Sequence, residues 1–171
     1  MGYDHKAIEK KWQDRWDSEG VFEVTEDPSK PKFYNVAMYP YPSGDLHVGH
    51  LRNYTYIDLV TRYKMMQGFN VLSPMGWDSF GLPAENRAIE TGVHPSESVS
   101  GQIDAMKTHF RQLGAGFDWS RELASHWPSY YRWDQWLFLQ LFDEGLAYKQ
   151  EAPVNWCPQD QTVLANEQVV D

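Results

Sequence analysis

An α/β fold built on parallel strands is predicted by three features of the 171-residue sequence. Phe33-Tyr-Asn-Val-Ala-Met38 is a β-branched and aromatic run of strand length. A helical pattern then runs from about Val48 to about Gln67, and Asn70-Val-Leu-Ser73 is a second short strand-like run. Strand, loop, helix and strand in that order form the unit of a parallel sheet, because parallel neighbours need a crossover and not a hairpin.

Before the first strand, residues 4–19 read as an amphipathic helix. Asp4 is the expected N-cap, Ile8, Trp12 and Trp16 recur every four residues, and Gly20 stops it. Residues 25–31 are a polar loop. Pro40, Pro42 and Gly44 end the first strand, since proline removes ladder donors and glycine permits positive φ. In the helix that follows, Tyr56, Leu59, Val60 and Tyr63 form the expected inward stripe, and Gly68 ends it. Pro74 to Pro83 is expected as a loop, followed by a helix over 84–91 closed by Gly92. His94-Pro95-Ser96 reads as a turn and Ser98 to Leu113 as a helix with Ile103, Met106 and Phe110 inward. Phe117 to Glu122 reads as an aromatic-acidic loop. Ser129 to Glu144 is a helix apolar nearly all round, hence expected to be buried. Leu146–Lys149 and Pro153–Trp156 read as two short strands.

Two histidines, His47 and His50, fall where the first strand feeds a helix N-terminus. Unpaired N–H groups and the helix dipole favour phosphate there, and Gly49 permits close approach. Imidazoles can also donate to a phosphoryl group whose charge grows during displacement. Because ligands of parallel sheets gather at strand carboxyl ends, the 38–41 and 74–83 loops are expected to face each other across a crevice. In the second loop, Asp78 between Trp77 and Phe80 suits a substrate ammonium; it equally suits the N-cap of the helix starting near Leu82.

Composition narrows the classes. Fifteen basic and twenty-four acidic residues give a formal charge of −9, which argues against a surface devoted wholly to nucleic acid. A hydrophobic content of 42% is that of a folding domain. The single cysteine, Cys157, excludes an internal disulfide and suits a reducing, cytoplasmic setting. No run approaches a membrane span, and no signal peptide or myristoylation pattern opens the chain. Neither Gly-x-Gly-x-x-Gly after a strand nor Gly-Lys-Ser/Thr occurs, and His47 and His50 do not form a His-Glu-x-x-His zinc motif. His5, His94, His109 and His126 sit in unrelated patterns and read as surface or structural. There is no internal repeat or low-complexity segment.

Embedded in Pro-Ser-Gly-Asp-Leu-His47-Val-Gly-His50, the two histidines resemble the His-x-Gly-His signature of class I aminoacyl-tRNA synthetases, which follows the first strand of a Rossmann-like domain. Gly76-Trp-Asp-Ser-Phe-Gly-Leu-Pro-Ala-Glu85, Phe117-Asp-Trp-Ser-Arg-Glu-Leu123, Tyr130-Tyr-Arg-Trp133 and Val154-Asn-Trp-Cys-Pro158 resemble the aliphatic-amino-acid subgroup. Met38-Tyr-Pro-Tyr-Pro-Ser-Gly44, Arg52-Asn-Tyr54 and Asp160 to Gln168 are most similar to its bacterial-type leucyl-tRNA synthetases, and the resemblance spans essentially the whole chain.

The resemblance implies that His47, Gly49 and His50 bind ATP, with the histidines stabilising the α-phosphate while the leucine carboxylate attacks. It implies that Asp78 holds the leucine ammonium and that Met38, Tyr39 and Tyr41 border the leucine pocket. Leucyl-adenylate would form and pass to tRNA(Leu), with Mg²⁺ accompanying ATP. The implied layout is an N-terminal helix and loop over 1–32, part of the catalytic domain over 33–150, and the start of a small zinc-type module over 151–171. One cysteine cannot supply a four-ligand zinc site, so no bound zinc is expected. The family's Lys-Met-Ser-Lys-Ser signature is absent, so the chain is expected to be the N-terminal piece of a larger enzyme, inactive alone in full aminoacylation. The competing readings are a valyl, isoleucyl or methionyl enzyme, a cofactor-making nucleotidyltransferase, and a non-catalytic fragment that binds ATP, leucine or a protein partner.

Overall fold

A computed structural model describes residues 2–169, and the chain divides into two compact units, Met1–Arg132 and Trp133–Asp171. In the first unit the chain runs α1 (His5–Ser18), β1 (Lys32–Tyr34), α2 (Val48–Met66), β2 (Asn70–Leu72), β3 (Pro74–Trp77), α3 (Leu82–Thr91), α4 (Pro95–Leu113) and β4 (Asp118–Ala124). Helix α5 (Pro128–Asp143) begins in this unit. The second unit carries the rest of α5, then β5 (Asn155–Cys157) and β6 (Thr162–Leu164) as an antiparallel pair.

The predicted β–loop–α–β unit is present, β1 pairing in parallel with β2 and Phe33 lying opposite Val71, but the first strand stops at Tyr34, short of the expected Met38 and well before Pro40. A second parallel pair, β3 with β4, was not legible in the sequence. Both of its strands lie in stretches that read as loops. Pro74 is tolerated as the first residue of a strand, and Gly76 is required inside it. A Cβ on Gly76 would stand 2.4 Å from the Tyr39 ring. All four residues of β3 are buried.

The core lies over this strand. Phe110 of α4 has no exposed surface and meets Tyr54 edge-on at 4.6 Å, with Phe117 and Trp77 at 5.8 and 6.1 Å. Val99, Ile103 and Met106 join it from α4, so the predicted inward face holds. That helix begins three residues earlier than expected. His94 caps it through Nδ1 to the Ser96 N–H, and Pro95 takes the first-turn position where no donor is missed.

The predicted stripe on α2 does not hold. Tyr56, Leu59 and Tyr63 are more than half exposed, whereas Tyr54 and Thr61 are the buried residues. Polar groups determine that face. Asn35 Nδ2 donates to Thr61 Oγ1 at 2.8 Å and to the Ile57 carbonyl at 2.9 Å, and Thr61 Oγ1 reaches Ser73 Oγ at 3.1 Å. Asp58 accepts from the Gly116 N–H at 2.8 Å, and Arg62 donates to the Gly114 carbonyl at 2.6 Å. Buried backbone groups must be satisfied, and here side chains of α2 satisfy the 114–116 turn. Among the described residues no buried side-chain polar atom lacks a partner.

Helix α5 is not buried: Trp136, Leu137, Phe138 and Phe142 are each more than half exposed. Leu146–Lys149 forms no strand either. The Leu146 and Ala147 N–H groups donate back to the Leu141 carbonyl, with Gly145 at φ 69°, closing the helix.

Replacing Phe110 by alanine is expected to cost about 3–5 kcal/mol, since a fully buried ring leaves a cavity among Tyr54, Trp77 and Phe117. Urea unfolding of Phe110→Ala measures it. A loss below about 1 kcal/mol would show that the core lies elsewhere.

Candidate functional site

His47 and His50 meet at the start of α2 in a reciprocal cap. Nδ1 of His47 accepts from the N–H groups of Gly49 and His50, at 3.1 and 3.4 Å. Nδ1 of His50 accepts from the His47 N–H at 3.2 Å. The rings stack with centroids 3.8 Å apart. A nitrogen that accepts carries no proton, so each neutral ring holds its proton on Nε2. The cap therefore leaves two Nε2–H donors. It also occupies the Gly49 and His50 N–H groups, which the sequence alone leaves open for phosphate.

Gly49 has a different reason for being glycine than the one first given. A Cβ there would stand 2.9 Å from His47 Cε1, so the bare backbone makes room for the capping ring. Burial, and after it the neighbouring His47, hold the His50 imidazole below the ordinary histidine value. His50 stacks in turn near Tyr54, whose hydroxyl donates to the Met38 carbonyl at 2.8 Å. One helix face thus ties the histidines to the loop that follows β1.

That loop and the one after β3 do face each other. The Asp78 N–H donates to the Pro40 carbonyl at 3.1 Å, and the Tyr41 hydroxyl lies 3.5 Å from the Gly81 carbonyl. Tyr39 lies over Gly76 and is half-buried, and its phenol is held above the ordinary pKa by burial and the nearby Tyr34 and Tyr130. Met38 is 81% exposed, so its side chain is open to a ligand and not part of the core. Asp78 is exposed, and its carboxylate makes no hydrogen bond or ion pair among the described residues. The capping alternative fails: the N-cap of α3 is Gly81, at φ 149°, with no side-chain cap bond.

The structure adds residues that the sequence reading passed over. Tyr54, Gly76 and Gly81 shape the two loops, and Ser79, Ser125 and His126 join the ends of β3 and β4. In sequence His126 reads as an isolated histidine, since no local pattern signals that its partner lies 47 residues away. A groove of about 320 Å³ bordered by Trp16, Phe22, Arg111 and Trp119 holds none of the expected site residues. Among the described residues no cluster of three metal-ligating side chains occurs, and Cys157 Sγ shares hydrogen bonds with the Asp160 carboxylate and N–H. No helix of the described residues is long and apolar enough to cross a membrane.

The parallel α/β unit thus carries a double-histidine helix start and, on the facing loop after β3, an exposed carboxylate. The sequence profile described as "tRNA synthetases class I (M)" matches residues 34–171, and the chain belongs to that family. It is similar to the leucine–tRNA ligase of Nitratidesulfovibrio vulgaris strain Miyazaki F, 56% identical over all of this chain and 20% of that protein. Similarity to the Shewanella sediminis leucine–tRNA ligase is 57% over 99% of the chain and 20% of that protein. Among solved structures, the leucyl enzyme of Agrobacterium radiobacter K84, in a ternary complex with tRNA and LeuAMS, superposes with a TM-score of 0.90. That match has 46% identity over 99% of this chain and 21% of the other. The chain thus spans about a fifth of the length of these relatives.

The cap separates two roles of His47. His47→Asn keeps an N-cap acceptor and is expected to unfold within about 0.5 kcal/mol of the parent, whereas His47→Ala loses about 1 kcal/mol. Equal losses in urea would contradict the cap. For His50, folding lowers the pKa, so the folded chain binds fewer protons here than the unfolded one. Its contribution is complete above the unfolded value of about 6.5 and is lost as pH falls below it. His50→Gln, which can still reach back to the cap N–H, is expected to flatten part of that acid-side slope in a melting series from pH 7 to pH 5.

Proposed function

We propose that this chain is the ATP- and leucine-binding part of a leucyl-tRNA synthetase, acting in the activation of leucine and its transfer to tRNA(Leu). The observation that carries the reading is that the loop leading from β1 to the two capped imidazoles is hydrogen-bonded to the loop that bears the unpaired Asp78 carboxylate. The leucine specificity is supported by the leucine–tRNA ligases it resembles over nearly its full length.

In this reading Asp78 receives the leucine ammonium as a charge-assisted partner, while Met38, Tyr39 and Tyr41 border the side chain. The leucine carboxylate attacks the α-phosphorus of ATP and pyrophosphate leaves. The Nε2–H groups of His47 and His50 donate to phosphate oxygens as their charge grows, and Gly49 allows the rings their position. Fixed donors of this kind require no reorganisation during the reaction, so no side-chain nucleophile is needed. Mg²⁺ comes with ATP and neutralises phosphate charge; no residue here is assigned to it. The 1–32, 33–150 and 151–171 segments are assigned as N-terminal helix and loop, part of the catalytic domain and start of a small inserted module.

The test is a chimera in which this chain replaces the corresponding fifth of the Nitratidesulfovibrio vulgaris enzyme. Leucine-dependent ATP–pyrophosphate exchange is expected, with valine, isoleucine and methionine poor substrates. His50→Ala is expected to reduce exchange by about 10²–10³-fold. Asp78→Ala should chiefly raise the leucine KM, since its partner is charged already in the ground state. Exchange unchanged in His50→Ala, or a loss in Asp78→Ala confined to kcat, would refute the assigned roles.

A further inference from the structure

At the carboxyl ends of β3 and β4 the backbone ladder gives way to side chains. Trp77 pairs with Ala124, and the Ser125 N–H donates to the Trp77 carbonyl at 3.0 Å. Beyond that rung, the Ser79 N–H donates to Ser125 Oγ at 2.8 Å. The Ser79 hydroxyl, 3% exposed as a residue, lies 2.7 Å from His126 Nδ1 and accepts from the His126 N–H at 3.3 Å. Since that oxygen accepts from the backbone, its own proton is free to donate. Nδ1 at 2.7 Å is a better acceptor position than the Trp77 carbonyl at 3.3 Å. His126 is then an acceptor at Nδ1 with its proton on Nε2.

Asp78 stands between two anchored N–H groups. Its own N–H is held by Pro40 and the next N–H by Ser125, so the backbone on both sides of its Cα is fixed and only the side-chain torsions remain. We infer that His126, through its hydrogen bond with Ser79, is a positioning residue that sets the direction of the Asp78 carboxylate towards an ammonium group. The inference rests on the reading of Asp78 as the ammonium partner. It gives a use to a serine and a histidine that take no part in the phosphate chemistry. Without the acceptor, the Ser79 hydroxyl turns to the Trp77 carbonyl or Ser125, residue 79 loses a side-chain tether beside its backbone bonds, and the Asp78 carboxylate samples more directions.

The experiment uses the 171-residue chain with ¹⁵N-labelled histidine, titrated separately with leucine and with ATP. At pH 7.5, His126 is expected to show a bare Nδ1 and a protonated Nε2. The leucine Kd should rise roughly tenfold in His126→Phe and in Ser79→Ala, the effect of one misaligned charge-assisted bond. His126→Asn, whose amide oxygen can stand near the Nδ1 position, should restore it. The ATP Kd should stay unchanged in all three. An unaltered leucine Kd in both His126→Phe and Ser79→Ala would overturn the positioning role while leaving the Asp78 reading intact. So would a loss of ATP and leucine together, which marks a folding defect, a protonated Nδ1, or failure of His126→Asn to restore binding. No leucine binding by the parent chain would overturn the ammonium reading and this inference with it.

Discussion

The contact between the Tyr39 ring and the bare backbone of Gly76 is the constraint from which the site takes its shape. A parallel strand with all four residues buried has no side on which to place an aromatic ring unless one residue gives up its side chain. Gly76 does so, and the loop after β1 lies down directly on β3. The remaining links follow from that closeness: Asp78 to Pro40 through the backbone, and Tyr41 near the Gly81 carbonyl. Tyr54 supports the same loop from α2, with its hydroxyl on Met38 and its ring against Phe110. The hydrophobic core and the crevice therefore share residues, and a change that loosens one is felt by the other.

The double-histidine start of α2 combines structure and chemistry in the same atoms. An aspartate would cap the helix as well, but would leave no donor behind. An imidazole caps with one nitrogen and presents a proton on the other, so the cap itself selects the tautomer. Stacking at 3.8 Å makes a second positive charge on the pair unfavourable, and the depressed pKa of His50 has that cause after burial. The neutral pair is the form in which both the helix start and its outward donors are intact.

Much apolar surface stays uncovered. Tyr56, Leu59 and Met66 on α2, and Trp136, Phe138 and Phe142 on α5, are all more than half exposed. Within the family these stretches belong to proteins about five times longer. An apolar run in sequence states that a surface avoids water; it does not say whether the covering partner is near in the same segment.

By itself the sequence determined the first β–α–β unit, the helices α1 to α5 to within a few residues, and the position of His47, Gly49 and His50 at a helix start. These follow from short-range rules: periodicity, caps, and the punctuation of proline and glycine. The family resemblance rested on the same local strings. What only the tertiary structure decided is long-range. Strands β3 and β4 lack strand-like composition, and their pairing across some forty residues is set by burial against α4. The inward face of α2 is not the one its apolar periodicity predicts, because polar Asn35, Asp58 and Arg62 choose it by satisfying distant backbone and side-chain groups. His126 was passed over because its partner, Ser79, is close only once two strand ends lie side by side. Local propensity reads what a residue does to its neighbours in the chain; which buried group needs which partner is fixed only when the chain has folded.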